Sequence, residues 1–195
     1  MFKFIDQYRG LNRDIYILFL GRVIGALGTF IWPLLTLILT VKLGYKPSQV
    51  ATIMVVGFAC NLPAGLIGGK LTDHFGRKKI IILSNVLMVS CFYINAFIPI
   101  SSWTVVLFFV SSFFGTLQGP AYDAMLADKS TSDQRAKAYS LSYMGFNLGF
   151  ILGPAIGGFL FKDYLWLAFL IDGSTSLMGT LMILFFVKET KMSEI

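Results

Sequence analysis

The chain has 195 residues, of which 56% are hydrophobic and 13% are charged, and it carries a formal net charge of +6. Because a soluble globular domain is about one quarter charged, this composition excludes an ordinary water-soluble domain. The basic excess does not indicate a nucleic-acid partner, since the basic residues cluster in short connections between apolar segments, a pattern typical of membrane insertion.

Six apolar segments follow one another along the chain, each long enough to cross a bilayer. We name them spans 1 to 6 in chain order. Their predicted bounds are 14–41, 49–70, 80–100, 103–127, 136–161 and 165–187. The sequence therefore predicts an all-α integral membrane protein with six transmembrane helices. The residues before span 1 lack the short apolar core and cleavage site of a signal peptide, so we expect span 1 to be retained.

Positive charges are divided unevenly between the two ends of the predicted bundle. Twelve Lys and Arg residues lie on the side of the termini and of the connections after spans 2 and 4: Lys3, Arg9, Arg13, Lys70, Arg77, Lys78, Lys79, Lys129, Arg135, Lys137, Lys188 and Lys191. Only Lys42, Lys46 and Lys162 lie on the other side. Since cytoplasmic loops carry the basic excess, both termini are expected in the cytoplasm, with the chain in the plasma or inner membrane.

Small or polar residues recur at every fourth position in spans 2 and 5, which forms one ridge along each helix. The ridges consist of Gly57, Asn61, Gly65 and Gly69 in span 2, and of Gly145, Gly149, Gly153 and Gly157 in span 5. The likeness predicts two three-helix repeats, about 1–100 and 101–195, a known transporter design. The simpler alternative is that glycine is common in membrane helices.

The segment "GLIGGKLTDHFGRKKIIIL", residues 65–83, concentrates charge between two apolar spans. We expect Gly69 and Gly76 to serve a helix end and a tight turn, because glycine adopts such backbone angles at low cost. Arg77 and Lys78 favour the cytoplasmic orientation and contact with anionic lipid headgroups. Asp73 is expected to hold two helix ends together through charge-assisted hydrogen bonds, as a latch. The alternative is a solvated basic turn.

The stretch "GKLTDHFGRKK" resembles the signature loop of the major facilitator superfamily, Gly-x-Leu-x-Asp-x-x-Gly-Arg-Lys. The matching positions are Gly69, Leu71, Asp73, Gly76, Arg77 and Lys78. The resemblance implies a twelve-helix transporter fold of which residues 1–195 correspond to the N-terminal six-helix half, the C-terminal half being absent. It also implies that these six residues form a conformational latch.

A second stretch, "GFILGPAIGG", resembles the fifth-helix signature of the drug–proton antiporters of that superfamily. Its matching positions are Gly149, Gly153, Pro154, Gly157 and Gly158. A third motif of those antiporters, Arg-x-x-Gln-Gly in the fourth helix, is incomplete. "GTLQG" keeps Gln118 and Gly119 but has Gly115 in place of the arginine, and Arg22 in span 1 is the candidate substitute.

The resemblance implies secondary active transport of a small molecule by alternating access, as proton-coupled efflux of a drug or metabolite. The implied partners are the substrate, protons, the lipid bilayer, and either a C-terminal six-helix half or a second copy of the chain. The glycine ridges of spans 2 and 5 are expected to contact that other half. The alternatives are a non-transporting half-size scaffold or subunit, or an inactive truncated fragment.

Only three ionisable side chains lie well inside the spans, and such residues tend to face a bundle interior or a watery cavity. These are Arg22, Asp123 and Asp172. We expect Arg22 to pair with Asp123, although Asp123 could instead be a structural partner of Arg77. Asp172 is expected to bond neighbouring serines or a helix end rather than to carry protons.

Three uncharged polar residues, Asn61, Gln118 and Asn147, are second candidates for a proton or substrate pathway. No catalytic or phosphate-binding motif is present, and the single histidine, His74, lies in the signature loop. Cys60 and Cys91 have neither the spacing nor the surroundings of a metal site or redox pair. The sequence therefore predicts no enzyme activity, no cofactor and no metal.

Overall fold

The computed structural model describes residues 7–190, which form helices and no strand. Lys3 and Lys191, which contribute to the predicted charge asymmetry, lie outside these residues. Within them, six segments are long and apolar enough to cross a membrane: Arg13–Lys42, Pro47–Phe75, Arg77–Phe97, Ser102–Asp128, Arg135–Phe161 and Leu165–Phe186. The predicted six-span, all-α architecture is confirmed, and spans 1 to 6 denote these segments from here on.

Span 2 is longer than predicted. It does not end at residue 70 but continues to Phe75, so that Gly76 alone separates it from span 3. Gly76 has a φ of 99°, a conformation that favours glycine. Gly69 lies inside the helix, with nothing within 4 Å of where a Cβ would stand. The expectation that Gly69 serves the turn is therefore wrong, because polar residues beyond the apolar stretch still continue a helix.

Span 1 is not one continuous helix. It consists of an α-helix at Arg13–Leu27, an α-helix at Ile31–Leu37 and a π-helical turn at Ile38–Lys42. The interruption begins at Gly28 and precedes Pro33. Proline has no N–H to donate to the carbonyl of Thr29, four residues earlier, and its ring crowds that carbonyl. A glycine and a proline five residues apart thus account for the break.

Span 4 is interrupted in a similar way. Its two α-helices, Ser102–Leu117 and Gly119–Asp128, meet at Gln118. Pro120, two residues later, cannot donate to the carbonyl of Thr116. The first spans of both predicted repeats therefore contain a break, while the division of the chain near residue 100 stays a prediction.

The interior is filled by two apolar clusters, and span 1 lies against spans 5 and 6. One cluster includes Leu18 and Met125, and the other includes Phe30 and Phe169. On the outside, large apolar side chains such as Phe159, which is 87% exposed, point away from the bundle. An apolar outer surface on helices of this length is typical of a multi-pass membrane protein.

The connections group on two ends of the bundle as the charge pattern predicts. We name one end the basic face; it holds the residues before span 1 and the connections after spans 2 and 4. There, Lys129 Nζ lies 2.7 Å from Asp14 Oδ2, and Gln134 Nε2 donates to the carbonyl of Gly10 at 3.2 Å. On the opposite face, Lys42 Nζ donates to the carbonyl of Lys162 at 2.7 Å. Residues before span 1 and after span 4 therefore share one face.

The glycine ridge of span 5 packs inside the bundle, so the expectation that it contacts the missing half is wrong. A Cβ on Gly149 would stand 2.5 Å from Ala26 Cβ and 2.6 Å from the carbonyl oxygen of Val23. A Cβ on Gly153 would stand 2.7 Å from the carbonyl oxygen of Thr29. The ridge is the surface through which the backbones of spans 5 and 1 approach each other.

The ridge of span 2 divides between two surroundings. Gly57 and Asn61 are buried against span 4, whereas Gly65 and Gly69 face open space. The buried line instead continues through Gly68, where a Cβ would stand 2.1 Å from the carbonyl oxygen of Leu117. Because an α-helix has 3.6 residues per turn, residues at every fourth position move gradually around the helix. The buried surface of span 2 therefore follows the helix period and leaves the predicted ridge after Asn61.

We expect Gly149→Ala to lower the free energy of unfolding by about 1–3 kcal/mol, because its methyl group would overlap Ala26. The matched control is Gly158→Ala on the same helix, where nothing lies within 4 Å. There the better helix propensity of alanine should stabilise the chain by about 0.5–1 kcal/mol. The measurement is thermal unfolding in detergent followed by circular dichroism. Equal shifts in both variants would contradict the packing described for span 5.

Candidate functional site

Arg77, the first residue of span 3, joins three spans through one buried side chain. The residue is 3% exposed, and its Nε donates to Asp128 Oδ2 at 3.0 Å. Its Nη1 donates to the carbonyl of Thr72 at 3.4 Å. Asp73 is a more distant partner, with its Oδ1 3.9 Å from Nη2 and its side chain 68% exposed. The guanidinium holds the ends of spans 2 and 4 against the start of span 3.

Asp128, and not Asp123, is the span 4 partner of Arg77. The alternative that Asp123 takes this place is therefore wrong. The two aspartates are five residues apart, which rotates their side chains by about 140° around the helix. Asp123 consequently faces span 1, while Asp128 faces spans 2 and 3.

Lys78 and Glu189 join spans 3 and 6 in a reciprocal way. The Lys78 Nζ donates to the carbonyls of Leu184 and Val187 at 2.6 and 2.7 Å, which occupies free acceptors at the end of span 6. The Glu189 carboxylate accepts from the backbone N–H groups of Lys78 and Lys79 at 2.8 and 3.2 Å, at the start of span 3. Both charges lie at the helix end that their sign stabilises. Sequence analysis missed Glu189. Its one indication in the sequence was its position next to Lys188, just after the last apolar span.

The signature-loop residues thus have different surroundings. Gly76 forms the turn, Arg77 is buried, and Lys78 reaches span 6. Leu71 packs against the apolar cluster near the basic face. Gly69 lies on an open helix surface. Their joint role as a latch stays a prediction. Asp73 supplies the one carboxylate among them, and its side chain is exposed.

A cavity of about 700 Å³ lies between the spans, and all six contribute to its walls. Part of its wall is aromatic: Trp32, Phe58, Phe92, Phe108, Phe146 and Phe150. Another part carries polar or ionisable groups: Arg22, Asn85, Ser111, Gln118, Tyr122, Asp172 and Ser176. A space of this size with few polar groups among apolar ones is typical of small-molecule sites.

The predicted pair of Arg22 and Asp123 is present. Arg22 Nη2 lies 3.9 Å from Asp123 Oδ1, with the two side chains 30% and 60% exposed. The guanidinium carbon also stands 4.1 Å from the ring centroid of Tyr122, a cation–π contact. The Tyr122 hydroxyl donates to the carbonyl of Leu18, and the Tyr139 hydroxyl donates to the carbonyl of Asp123 at 3.0 Å.

The two charges of this pair are incompletely paired. At 3.9 Å the contact is longer than a direct charge-assisted hydrogen bond. The Nε of Arg22 is buried and has no hydrogen-bond partner among the described residues. The Tyr122 ring, which lies beneath the guanidinium, orients it. Sequence analysis missed Tyr122, whose one indication in the sequence was its position next to Asp123.

Asp172 lies at the break of span 1. It is 5% exposed, and its Oδ2 accepts from the backbone N–H of Ile31 at 3.4 Å. Of the two expected partners, a helix end and the neighbouring serines, the helix end is the one found. Gly28 and Pro33, which create that end, were the unnoticed signal in the sequence.

The three uncharged candidates lie in different places. Gln118 lines the cavity at the break in span 4. Asn61 is buried between spans 2 and 4, where its Nδ2 donates to Ser112 Oγ at 2.8 Å. Asn147 is exposed and is not part of the cavity wall. A pathway role for any of them stays a prediction.

Comparisons with known proteins agree on one family. The family model for the Major Facilitator Superfamily matches residues 17–195. The chain is 30% identical over 155 residues to the bicyclomycin resistance protein homolog of Haemophilus influenzae, covering 78% of this chain and 38% of that protein. It is 26% identical over 188 residues to the quinolone resistance protein NorA of Staphylococcus aureus, covering 94% and 47%.

Two further matches extend this result. The chain is 27% identical over 149 residues to the Na(+), Li(+), K(+)/H(+) antiporter of Planococcus maritimus, covering 73% of this chain and 35% of that protein. A crystal structure of the peptide transporter POT superposes with a TM-score of 0.78 at 22% identity, covering 90% of this chain and 38% of the other, which shows a shared fold.

The chain spans less than half the length of the relatives described above. The six apolar helices, the signature-loop residues around Arg77 and the family match over residues 17–195 lead to one conclusion. The chain belongs to the major facilitator superfamily and is a multi-pass membrane protein.

Proposed function

We propose that the chain acts as one six-helix half of a carrier that exports a small molecule in exchange for protons by alternating access. The observation that carries this proposal is the 700 Å³ cavity between the spans, with the Arg22–Asp123 pair and Tyr122 beside it. The drug resistance and cation/proton antiport in the names of its relatives support the class of transport.

In this mechanism two six-helix bundles rock about a site between them and expose it to one side at a time. The other bundle is a C-terminal six-helix half or a second copy of this chain. Outward-facing apolar residues on spans 2 and 5, including Leu62, Leu66 and Phe159, provide surface for that partner. The signature loop would latch the basic face in one of the two states, with the accessible Asp73 carboxylate reaching the partner.

The Arg22–Asp123 pair would then couple the proton to the substrate. The ionised Asp123 carboxylate, which is 60% exposed and lies 3.9 Å from Arg22, can bind a substrate that carries a cationic group. A proton on Asp123 removes that charge, so the proton and the substrate compete for one carboxylate. Proton binding from one side of the membrane then releases the substrate, which is the exchange that an antiporter needs.

The proposed function predicts that transport needs a partner bundle. Inverted membrane vesicles that contain this chain together with a C-terminal six-helix half should accumulate a fluorescent drug such as ethidium when a pH gradient is imposed. Vesicles with either bundle alone should not, unless the chain works as a homodimer. If no combination transports any of a panel of small molecules while the chain still binds other membrane proteins, the scaffold alternative replaces the transporter.

We expect Asp123→Asn to lower the rate of proton-driven uptake by about tenfold, equivalent to about 1.4 kcal/mol in the barrier, because the variant cannot exchange a proton. Asp73→Asn should also impair uptake, through the latch. Asp163→Asn, in the connection before span 6, is the matched control and should transport normally. Undiminished uptake in both the Asp123 and the Asp73 variants would remove these residues from the mechanism.

A double variant separates proton carriage from a structural ion pair. Arg22→Gln with Asp123→Asn removes both charges and leaves no unpaired one. If the pair is only structural, the double variant should recover uptake relative to Asp123→Asn. We expect no recovery, because the proton-binding group is still missing.

The positive-inside rule also predicts that the basic face lies on the cytoplasmic side of the cell membrane. In a chain with Cys60 and Cys91 replaced by alanine, we expect His74→Cys and Ser132→Cys to react with a membrane-impermeant maleimide only in inverted vesicles. Asp163→Cys should react only in intact cells. Labelling of positions 74 and 132 from opposite sides would contradict the topology of the whole bundle.

A further inference from the structure

The break in span 1 leaves backbone groups that need a partner. Between Leu27 and Ile31 the helical hydrogen bonds are replaced by short-range ones, from Thr29 N to the carbonyl of Ala26 at 3.1 Å and from Phe30 N to the carbonyl of Gly28 at 2.7 Å. The N–H of Ile31 then starts a new helix. In a membrane no water competes for such a group, so its partner has to come from the protein.

That partner is the carboxylate of Asp172 in span 6. Its Oδ2 accepts from Ile31 N at 3.4 Å, and the N–H of Phe30 also faces it. The two spans approach closely here, since a Cβ on Gly28 would stand 3.0 Å from Asp172 Cα and 1.9 Å from Thr175 Oγ1. The carboxylate is therefore fixed in register with the break.

No positive charge balances this carboxylate among residues 7–190. Span 1 presents only Arg22 toward the interior, and Arg22 pairs with Asp123 six residues, or about 9 Å, before the break. Span 3 presents Tyr93, whose hydroxyl lies 3.2 Å from Ser174 Oγ, and the buried Cys91. Span 5 has no ionisable side chain between residues 144 and 161.

An ionised carboxylate in such a place is costly, because the charge loses its hydration and no opposite charge among the described residues replaces it. Two backbone donors offset part of this cost. Asp172 also lines the cavity, so water that enters the cavity can bring or remove a proton. The two protonation states would differ in how they hold span 1, since charge-assisted hydrogen bonds are about twice as strong as neutral ones.

We propose that Asp172 is a proton-binding site whose ionised carboxylate fixes the break in span 1 and whose protonation lets Ile31–Leu37 move relative to Arg13–Leu27. On protonation an O–H bond forms on the carboxylate, its charge is lost, and its hold on Ile31 N–H weakens. The proposal deepens the proposed function, because a proton-coupled carrier needs a group that links a proton to a helix movement. It assigns that role to span 6, where the sequence favoured a structural one.

Trp32 provides a reporter directly after the break. Its ring lies 5.4 Å from that of Phe108, in a stacked arrangement, and 5.5 Å from that of Phe58, edge-on. A movement of Ile31–Leu37 would change both contacts. The other two tryptophans, Trp103 and Trp166, are 69% and 49% exposed and can be replaced by phenylalanine to leave Trp32 as the single fluorophore.

The experiment measures Trp32 emission of the full chain in lipid nanodiscs from about pH 5 to about pH 9, a range that includes the pKa values documented for buried carboxyl groups. We expect a reversible sigmoidal change with a single midpoint, and its loss in Asp172→Asn. Asp163→Asn is the matched control and should keep the transition. His74→Gln, which removes the single histidine of the chain, is the second control and should also keep the transition.

Transport plays no part in this measurement, so a failure of the proposed function would leave its result unaffected. A flat pH response in the parent chain would overturn the proposal without any variant. A transition that persists in a folded Asp172→Asn variant would overturn it as well. A midpoint that shifts when sodium replaces choline in the buffer would show a metal cation at Asp172 and would contradict the assignment to a proton.

Discussion

Close backbone contact of span 1 with spans 5 and 6 determines the arrangement of the other features. On one side the glycines of span 5 receive the carbonyls of Val23 and Thr29. On the other side Gly21 meets Gly179, where a Cβ on either residue would stand 3.2 or 2.6 Å from the carbonyl oxygen of the other. In lipid, where apolar burial gives little drive for helices to associate, such contacts supply the dispersion energy that holds helices together. Span 1 is thereby held with Arg22 beside span 4 and its break against Asp172.

The charged residues divide into two groups by their surroundings. At the basic face, several charges are placed against an opposite charge or a helix end, as in the contacts of Arg77 with Asp128 and of Lys78 with span 6. These contacts join spans 3, 4 and 6 to one another. In the interior, Arg22, Asp123 and Asp172 have long contacts or no opposite charge at all among the described residues. Groups that are incompletely paired are the ones whose surroundings a bound proton or ligand would change most, which is why the proposed exchange is assigned to them.

The sequence predicted the features that depend on local composition. The number of spans, their approximate bounds and the two faces followed from the length of apolar stretches and the positions of basic residues. What it could not supply is the rotation of each helix about its axis. Asp123 and Asp128 are both aspartates of span 4, and only the structure shows that Asp128 pairs with Arg77 while Asp123 pairs with Arg22. Likewise the glycine ridge of span 5 indicated a close contact, but not that span 1 would be the helix in contact.

Other differences came from signals that were present and not used. Gly28 and Pro33 bracket the break in span 1, and a proline within a span predicts a missing hydrogen bond wherever it occurs. Glu189 lies in a short polar tail that carries no motif, and its role depends on a helix more than 100 residues away.

The reciprocal contact between Lys78 and Glu189 has a consequence for biosynthesis. Span 3 is translated long before span 6, since the two contacting residues are 111 positions apart. Until span 6 is inserted, the first N–H groups of span 3 and the Lys78 ammonium have only water and headgroups as partners. Span 3 is therefore joined first to spans 2 and 4 through Arg77, and a ribosome that stalls before residue 189 leaves it without its contact to Glu189.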